Sequence, residues 1–191
     1  MTSPRIYLAG PDVFLPDAAA MFTAKRKLCA EYGFVGVAPI DSATDLSMLS
    51  KRAAAMQISA GNEDMIRSCN LLIANLTPFR GPSADVGTAY EMGFALGLPV
   101  FAYSNVAGNL LERTRDALGT QVRERGVGGL EDADGMLLED FDCVDNLMLD
   151  GAVEASGTQL VISPTPADRR FVDLAGFEAC LKLARAHHFA S

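Results

Sequence analysis

One stretch constrains the fold more than any other. The apolar run Leu71-Leu72-Ile73-Ala74-Asn75-Leu76 is followed by a Pro- and Gly-rich loop, Thr77 to Pro82, and then by Asp85-Val86-Gly87-Thr88-Ala89-Tyr90-Glu91-Met92-Gly93. A short apolar run bounded by turn residues reads as a buried strand, and the segment from Asp85 reads as a helix ending by Gly97. A second apolar run, Pro99-Val100-Phe101-Ala102-Tyr103, closes a strand–helix–strand unit. Such units build parallel sheets covered on both faces. Open parallel sheets bind ligands outside the carboxyl ends of their strands, where this loop and the start of this helix fall.

The rest of the chain repeats the alternation. Ile6-Tyr7-Leu8-Ala9, closed by Gly10-Pro11, reads as a first strand, and Asp17 caps a helix that runs to Glu31 with Gly33 just beyond it. Phe34-Val35-Gly36-Val37-Ala38 makes a second strand, and residues from about Ser50 to Ser68 have helical composition. From Gly108 to Asp145 the charges and the glycines Gly126, Gly128 and Gly129 suggest a helix followed by a mobile loop. Asn146 to Ala155 and Asp173 to His187 read as helices; Leu160-Val161-Ile162 is either a short strand or an extended linker. At 191 residues one domain spanning 1–191 is expected.

Composition excludes several functions. The net charge of −8 argues against a nucleic-acid polymer or an anionic membrane as partner, though not against a small nucleic-acid component in a pocket. The four cysteines, Cys29, Cys69, Cys143 and Cys180, lack metal or CxxC spacing and suit reduced thiols in a cytoplasmic protein. His187 and His188, the only histidines, are adjacent and read as surface residues, so no metal site and no Ser-His-Asp or Cys-His set is expected. Neither GxGxxG nor GxxxxGK[ST] occurs.

Candidate chemistry centres on acids. Glu91 lies in a helix whose neighbours Ala89, Tyr90, Met92, Phe94 and Leu96 are apolar; a wholly apolar helix is buried, and a buried Glu needs a partner or a task. Asp85 either caps this helix or serves a ligand, and Gly87 and Gly93 remove bulk beside it. The loop after the first strand, Ala9-Gly10-Pro11-Asp12-Val13-Phe14, has a glycine where the backbone must come close to something, with Asp12 as a further candidate contact; Phe14 either stacks on a flat ligand or closes the core. Glu63 and Asp64 end the preceding helix, where Asp64 could reach the crevice or simply meet solvent.

Three segments together resemble the nucleoside 2-deoxyribosyltransferases: Ile6 to Pro11, Leu76-Thr77-Pro78-Phe79-Arg80-Gly81, and Asp85 to Gly93, with Asn146-Leu147-Met148-Leu149 similar to a late segment of that family. The resemblance runs from Ile6 to about Ser156. It implies a flavodoxin-like (Rossmann-like) α/β fold, a five-stranded parallel sheet with helices on both faces. It also implies a transferase that moves a 2-deoxyribosyl group between nucleobases. By position, Glu91 matches the nucleophile and Asp85 the acid that binds the sugar 5′-hydroxyl. Asp64 matches the acid that manages the base proton, and Gly10 and Phe14 the border of the base. Asn146 matches a residue lent by a neighbouring subunit, so a homo-oligomer built from dimers with shared sites is expected. The implied partners are 2′-deoxynucleosides and free nucleobases, with no cofactor and no metal. A carboxylate at 85 repels the 5′-phosphate that related nucleotide N-glycosidases take, while Ser83 keeps a monophosphate hydrolase open as the alternative; a non-catalytic nucleoside-sensing module is a third reading.

Overall fold

The computed structural model describes residues 3–41, 46–95 and 97–189. Five parallel strands, β1 (Arg5–Ala9), β2 (Val35–Val37), β3 (Leu71–Asn75), β4 (Val100–Ser104) and β7 (Val161–Ile162), form one sheet in the order β2-β1-β3-β4-β7. This is the flavodoxin-like arrangement, with its switch point between β1 and β3. The short run at Leu160–Ile162 is therefore a strand; it pairs only two residues with β4.

Alternation along the strands sorts the core into two layers. Tyr7, Ala9, Leu72, Ala74, Val100 and Ala102 face one side, with Ile66 of α2 (Lys51–Arg67), Met92 of α3 (Val86–Phe94) and Leu149 and Val153 of α5 (Leu147–Glu154). Ile6, Leu8, Leu71, Ile73, Phe101 and Tyr103 face the other, with Phe22 and Cys29 of α1 (Ala18–Glu31) and Phe177, Cys180, Leu181 and Ala184 of α6 (Ala175–Phe189). The period of two carries each strand's residues to opposite helix layers, as a doubly covered parallel sheet requires.

Helix ends follow local chemistry. Asp17 accepts from the Ala20 N–H and Ser50 from the Ala53 N–H, so each satisfies an orphan donor of α1 or α2. Gly33, with φ 88°, turns the chain after α1 as its sequence position suggests.

Two expectations change. The region after α4 (Leu110–Leu118) is not only a loop. It carries an antiparallel ribbon of β5 (Arg123–Glu124) and β6 (Leu130–Glu131), turned by Gly128 and Gly129 at positive φ. Nor is α3 buried all round: Thr88 and Met92 are, but Val86 is 84% and Tyr90 56% exposed. The helix rests on the sheet beside α2 and α5, and Val86 and Tyr90 on its outer face are exposed among the described residues. Leu96 lies outside the described residues.

Candidate active site

A cavity of about 490 Å³ opens at the carboxyl ends of the strands, the size of a small-molecule site. Gly10, Val13 and Phe14 of the β1–α1 loop form one wall. Pro39, Ile40 and Leu46 follow β2, Ile58 and Asn62 come from α2, and Asp85, Gly87 and Glu91 come from α3. Most of the lining is apolar, and two carboxylates and one carboxamide converge on it.

Glu91 is fixed from beneath. Tyr7, fully buried in β1, donates its hydroxyl to Glu91 Oε1 at 2.6 Å. Burial raises the Glu91 carboxyl to about 7; the Tyr7 hydrogen bond pulls it down and the nearby Asp85 charge pushes it up. Burial and the Glu91 charge drive the Tyr7 phenol far upward, so it stays protonated and donates. A carboxylate shifted towards neutrality and held by one donor has the chemistry to act as a nucleophile or a proton carrier.

Asp85 caps its helix, with Oδ2 accepting from the Thr88 N–H at 3.1 Å, and also stands on the cavity wall. Gly87 makes room for this: a Cβ there would lie 2.9 Å from Asp85 Oδ2. Gly10, with φ 154°, brings the backbone so close to β3 that a Cβ would lie 2.8 Å from Asn75 Cβ. Phe14 does not close the core. It is half-exposed on the cavity wall and stacks on Phe79, ring centroids 5.2 Å apart.

Three expected residues lie elsewhere. Asp12 is buried behind the loop in an ion pair with Lys25 at 2.8 Å and does not face the cavity. Asp64 has its side chain 78% exposed and pairs with Arg67 at 2.7 Å. Glu63 is no substitute, since its carboxylate is occupied by Tyr90 and Arg67. The α2 residue that reaches the cavity is Asn62, one turn beyond Ile58 on the same face and one turn before buried Ile66; Asp64 is about 200° further round the helix. The buried Asn62 Oδ1 has no hydrogen-bond partner among the described residues. Asn146 does not reach its own chain's cavity: it caps α5, accepting from the Met148 N–H at 3.1 Å and donating to Glu139 at 2.7 Å.

The sequence reading also missed Tyr7. Its signal was a hydroxyl on the strand phase that faces the α3 layer. Ser83 does not line the cavity either, because its hydroxyl donates to Asp145, a fully buried carboxylate that also accepts from the Ala84 N–H at 2.9 Å. Among the described residues no cluster of His, Cys, Asp and Glu could hold a metal, the four cysteines are unpaired, and no helix is long and apolar enough to cross a membrane.

Fold and cavity thus define a flavodoxin-like α/β protein with a carboxylate-bearing cavity at its switch point. Residues 6–148 match the family model described as nucleoside 2-deoxyribosyltransferase, and the chain belongs to that family. It is similar to a solved structure, the 2-desoxiribosyltransferase from Leishmania mexicana, with 30% identity, a TM-score of 0.67, and coverage of 97% of this chain and 99% of that one. It is also 31% identical over 166 residues to an uncharacterized protein of Schizosaccharomyces pombe, covering 81% of this chain and 79% of that protein.

Proposed function

We propose that the protein transfers a 2-deoxyribosyl group from one nucleobase to another through a covalent bond to Glu91. The observation that carries this reading is the Tyr7-held Glu91 carboxylate on the wall of a cavity that also presents Asp85. The Glu91 carboxylate attacks C1′ as the glycosidic C–N bond breaks; that electron pair leaves with the base, which takes up a proton. Oxocarbenium charge develops at C1′ next to the carboxylate, which stabilises it. A nitrogen of the second base then attacks C1′ from the opposite face; the C1′–O bond to Glu91 breaks, its electron pair returns to the carboxylate, and the incoming base gives up its N–H proton to water. Two inversions retain the configuration, with ping-pong kinetics as the signature.

Asp85 accepts a hydrogen bond from the sugar 5′-hydroxyl in this reading. The base lies against Phe14, and Asn62, in the place expected of Asp64, offers it an acceptor and two donors. An amide cannot supply a proton as a carboxylic acid can, so the proton for the leaving base comes through water. The Ser83 hydroxyl donates to Asp145 and does not line the cavity, which weighs against the monophosphate hydrolase. No metal or organic cofactor enters the scheme.

The protein is also proposed to assemble. Val86 and Tyr90 of α3 and Leu147 and Met148 of α5 are exposed on neighbouring helices, a face that a second copy would cover. Asn146 stands at the start of α5 and would then be offered to the partner's sugar site, with two-fold dimers as the unit.

Incubation with deoxyinosine plus adenine tests the function. Deoxyadenosine formed only when adenine is present supports transfer. Release of free deoxyribose with no acceptor dependence would show a nucleoside hydrolase, base released only from the 2′-deoxynucleoside 5′-monophosphate would show the monophosphate hydrolase, and no product from either substrate a binding module.

A further inference from the structure

The loop that walls the cavity has an inner side that the proposed chemistry does not use. Asp12 sits on the short 3-10 turn Pro11–Phe14 and is 2% exposed; its carboxylate lies 2.8 Å from Lys25 Nζ of α1, which is 1% exposed. Apart from that ammonium, neither Asp12 oxygen has a hydrogen-bond partner among the described residues. The ammonium is otherwise surrounded by rings, 5.2 Å from the centre of Phe177 and 5.7 Å from that of Tyr103. Two charges are therefore held in the apolar layer under the loop.

Such a pair is poorly explained by stability. Removing both ions from water costs about as much as their attraction returns, and an apolar pair of equal volume is often no less stable. A buried pair can instead select one arrangement of the groups that carry it. Here the arrangement is visible. Asp12 folds back beneath Gly10, where a Cβ would meet Asp12 Oδ2 at 2.5 Å. With about three residues per turn, drawing residue 12 inward turns Val13 and Phe14 outward, and both line the cavity. An apolar side chain at 12 would fill the same space without being drawn towards a fixed point on α1.

We infer that the Lys25–Asp12 pair is the positioning element of the cavity's aromatic wall. It sets Gly10, Val13 and Phe14 for binding the nucleobase and takes no part in the bond changes at C1′. This rests on the reading of the cavity as a nucleoside site. Asp12 and Lys25 touch no substrate; they act through the loop.

Single replacements leave an unpaired buried charge, so the informative variant is the double one, Asp12→Asn with Lys25→Met. Hydrogen exchange is read without substrate, well below the unfolding transition, on peptides covering residues 10–15 and on β3. The loop is expected to exchange about tenfold faster or more while β3 keeps its protection. In deoxynucleoside kinetics, KM is expected to rise about tenfold with kcat changed less than about threefold, the pattern of lost binding rather than lost chemistry. A loop as protected as in the wild type overturns the anchoring. A faster loop with unchanged KM, or a fall in kcat alone, overturns the role in binding. A wild type that transfers nothing would overturn the functional reading only, since the exchange comparison still decides whether the pair holds the loop.

Discussion

The hydroxyl of Tyr7 meets Oε1 of Glu91 at 2.6 Å across 84 residues of sequence, and joins the middle of β1 to the second turn of α3. The bond favours the ionised carboxylate, against burial, which favours the acid. Tyr7→Phe removes the donor and leaves the ring. The acid limb of the kcat/KM profile, expected near pH 7 for the wild type, should move to higher pH. Activity at pH 7 should fall about 10- to 100-fold, the worth of a hydrogen bond to a charged group. An unchanged pH profile would show that the bond does not tune the carboxylate.

Glu91 also makes stability depend on pH. Its carboxyl is raised from 4.5 to about 7 in the folded chain. Between those values the folded state binds more protons than the unfolded state, so stability falls as pH rises through this window. The full cost, present above pH 7, is about 3 kcal/mol. Glu91→Gln is neutral at every pH. It should be no more stable than the wild type at pH 4 and up to about 3 kcal/mol more stable at pH 8, as read from denaturant midpoints. A stability difference that does not change with pH would contradict the raised carboxyl.

Gly87→Ala separates stability from function. Alanine is the better helix former by about 1 kcal/mol, yet its Cβ would press on Asp85 Oδ2, the flexible end of a side chain that yields before the backbone does. The melting temperature is expected to hold or rise, while KM for 2′-deoxynucleosides rises about tenfold as Asp85 is displaced from the sugar. Wild-type kinetics would mean that the position of Asp85 is not critical.

Subunit sharing makes its own test. Asn146→Ala and Glu91→Ala should each be impaired alone. Mixing the two should restore part of the activity, because one site of a mixed dimer combines an intact Glu91 with the partner's intact Asn146. Subunits that demonstrably exchange without recovery, or a fully active monomer in sedimentation, would place Asn146 as a helix cap and nothing more.

Much of the fold was legible because buried parallel strands are written as short apolar runs; Leu71–Leu76 and Val100–Tyr103 need no partner to be recognised. β7 was ambiguous because two paired residues carry no periodicity. The β5–β6 ribbon was missed because its strands are short and rich in charge. Asp85, Gly87, Gly10 and Phe14, in a turn and at a helix start, and Glu91, a carboxylate on a mostly apolar helix, were legible and line the cavity. On α2 the sequence pointed to Asp64, whereas Asn62, two positions earlier, lines the cavity. That helix buries only Ile66, and Ala53, Met56 and Ile58 are spread around it, so composition did not reveal which face turns to the cavity. Asp12 was misread because an acid beside a glycine turn gives no hint of a lysine thirteen residues later.

The covalent bond to Glu91 is the central claim, and mass analysis of the enzyme quenched during incubation with a 2′-deoxynucleoside and no acceptor tests it most directly. The peptide that contains Glu91 should carry the mass of one 2-deoxyribosyl group. Adding adenine should discharge it as deoxyadenosine, and Glu91→Ala should show neither adduct nor more than about a thousandth of wild-type turnover. Transfer that proceeds with the adduct on another residue, or that survives in Glu91→Ala, would contradict the account.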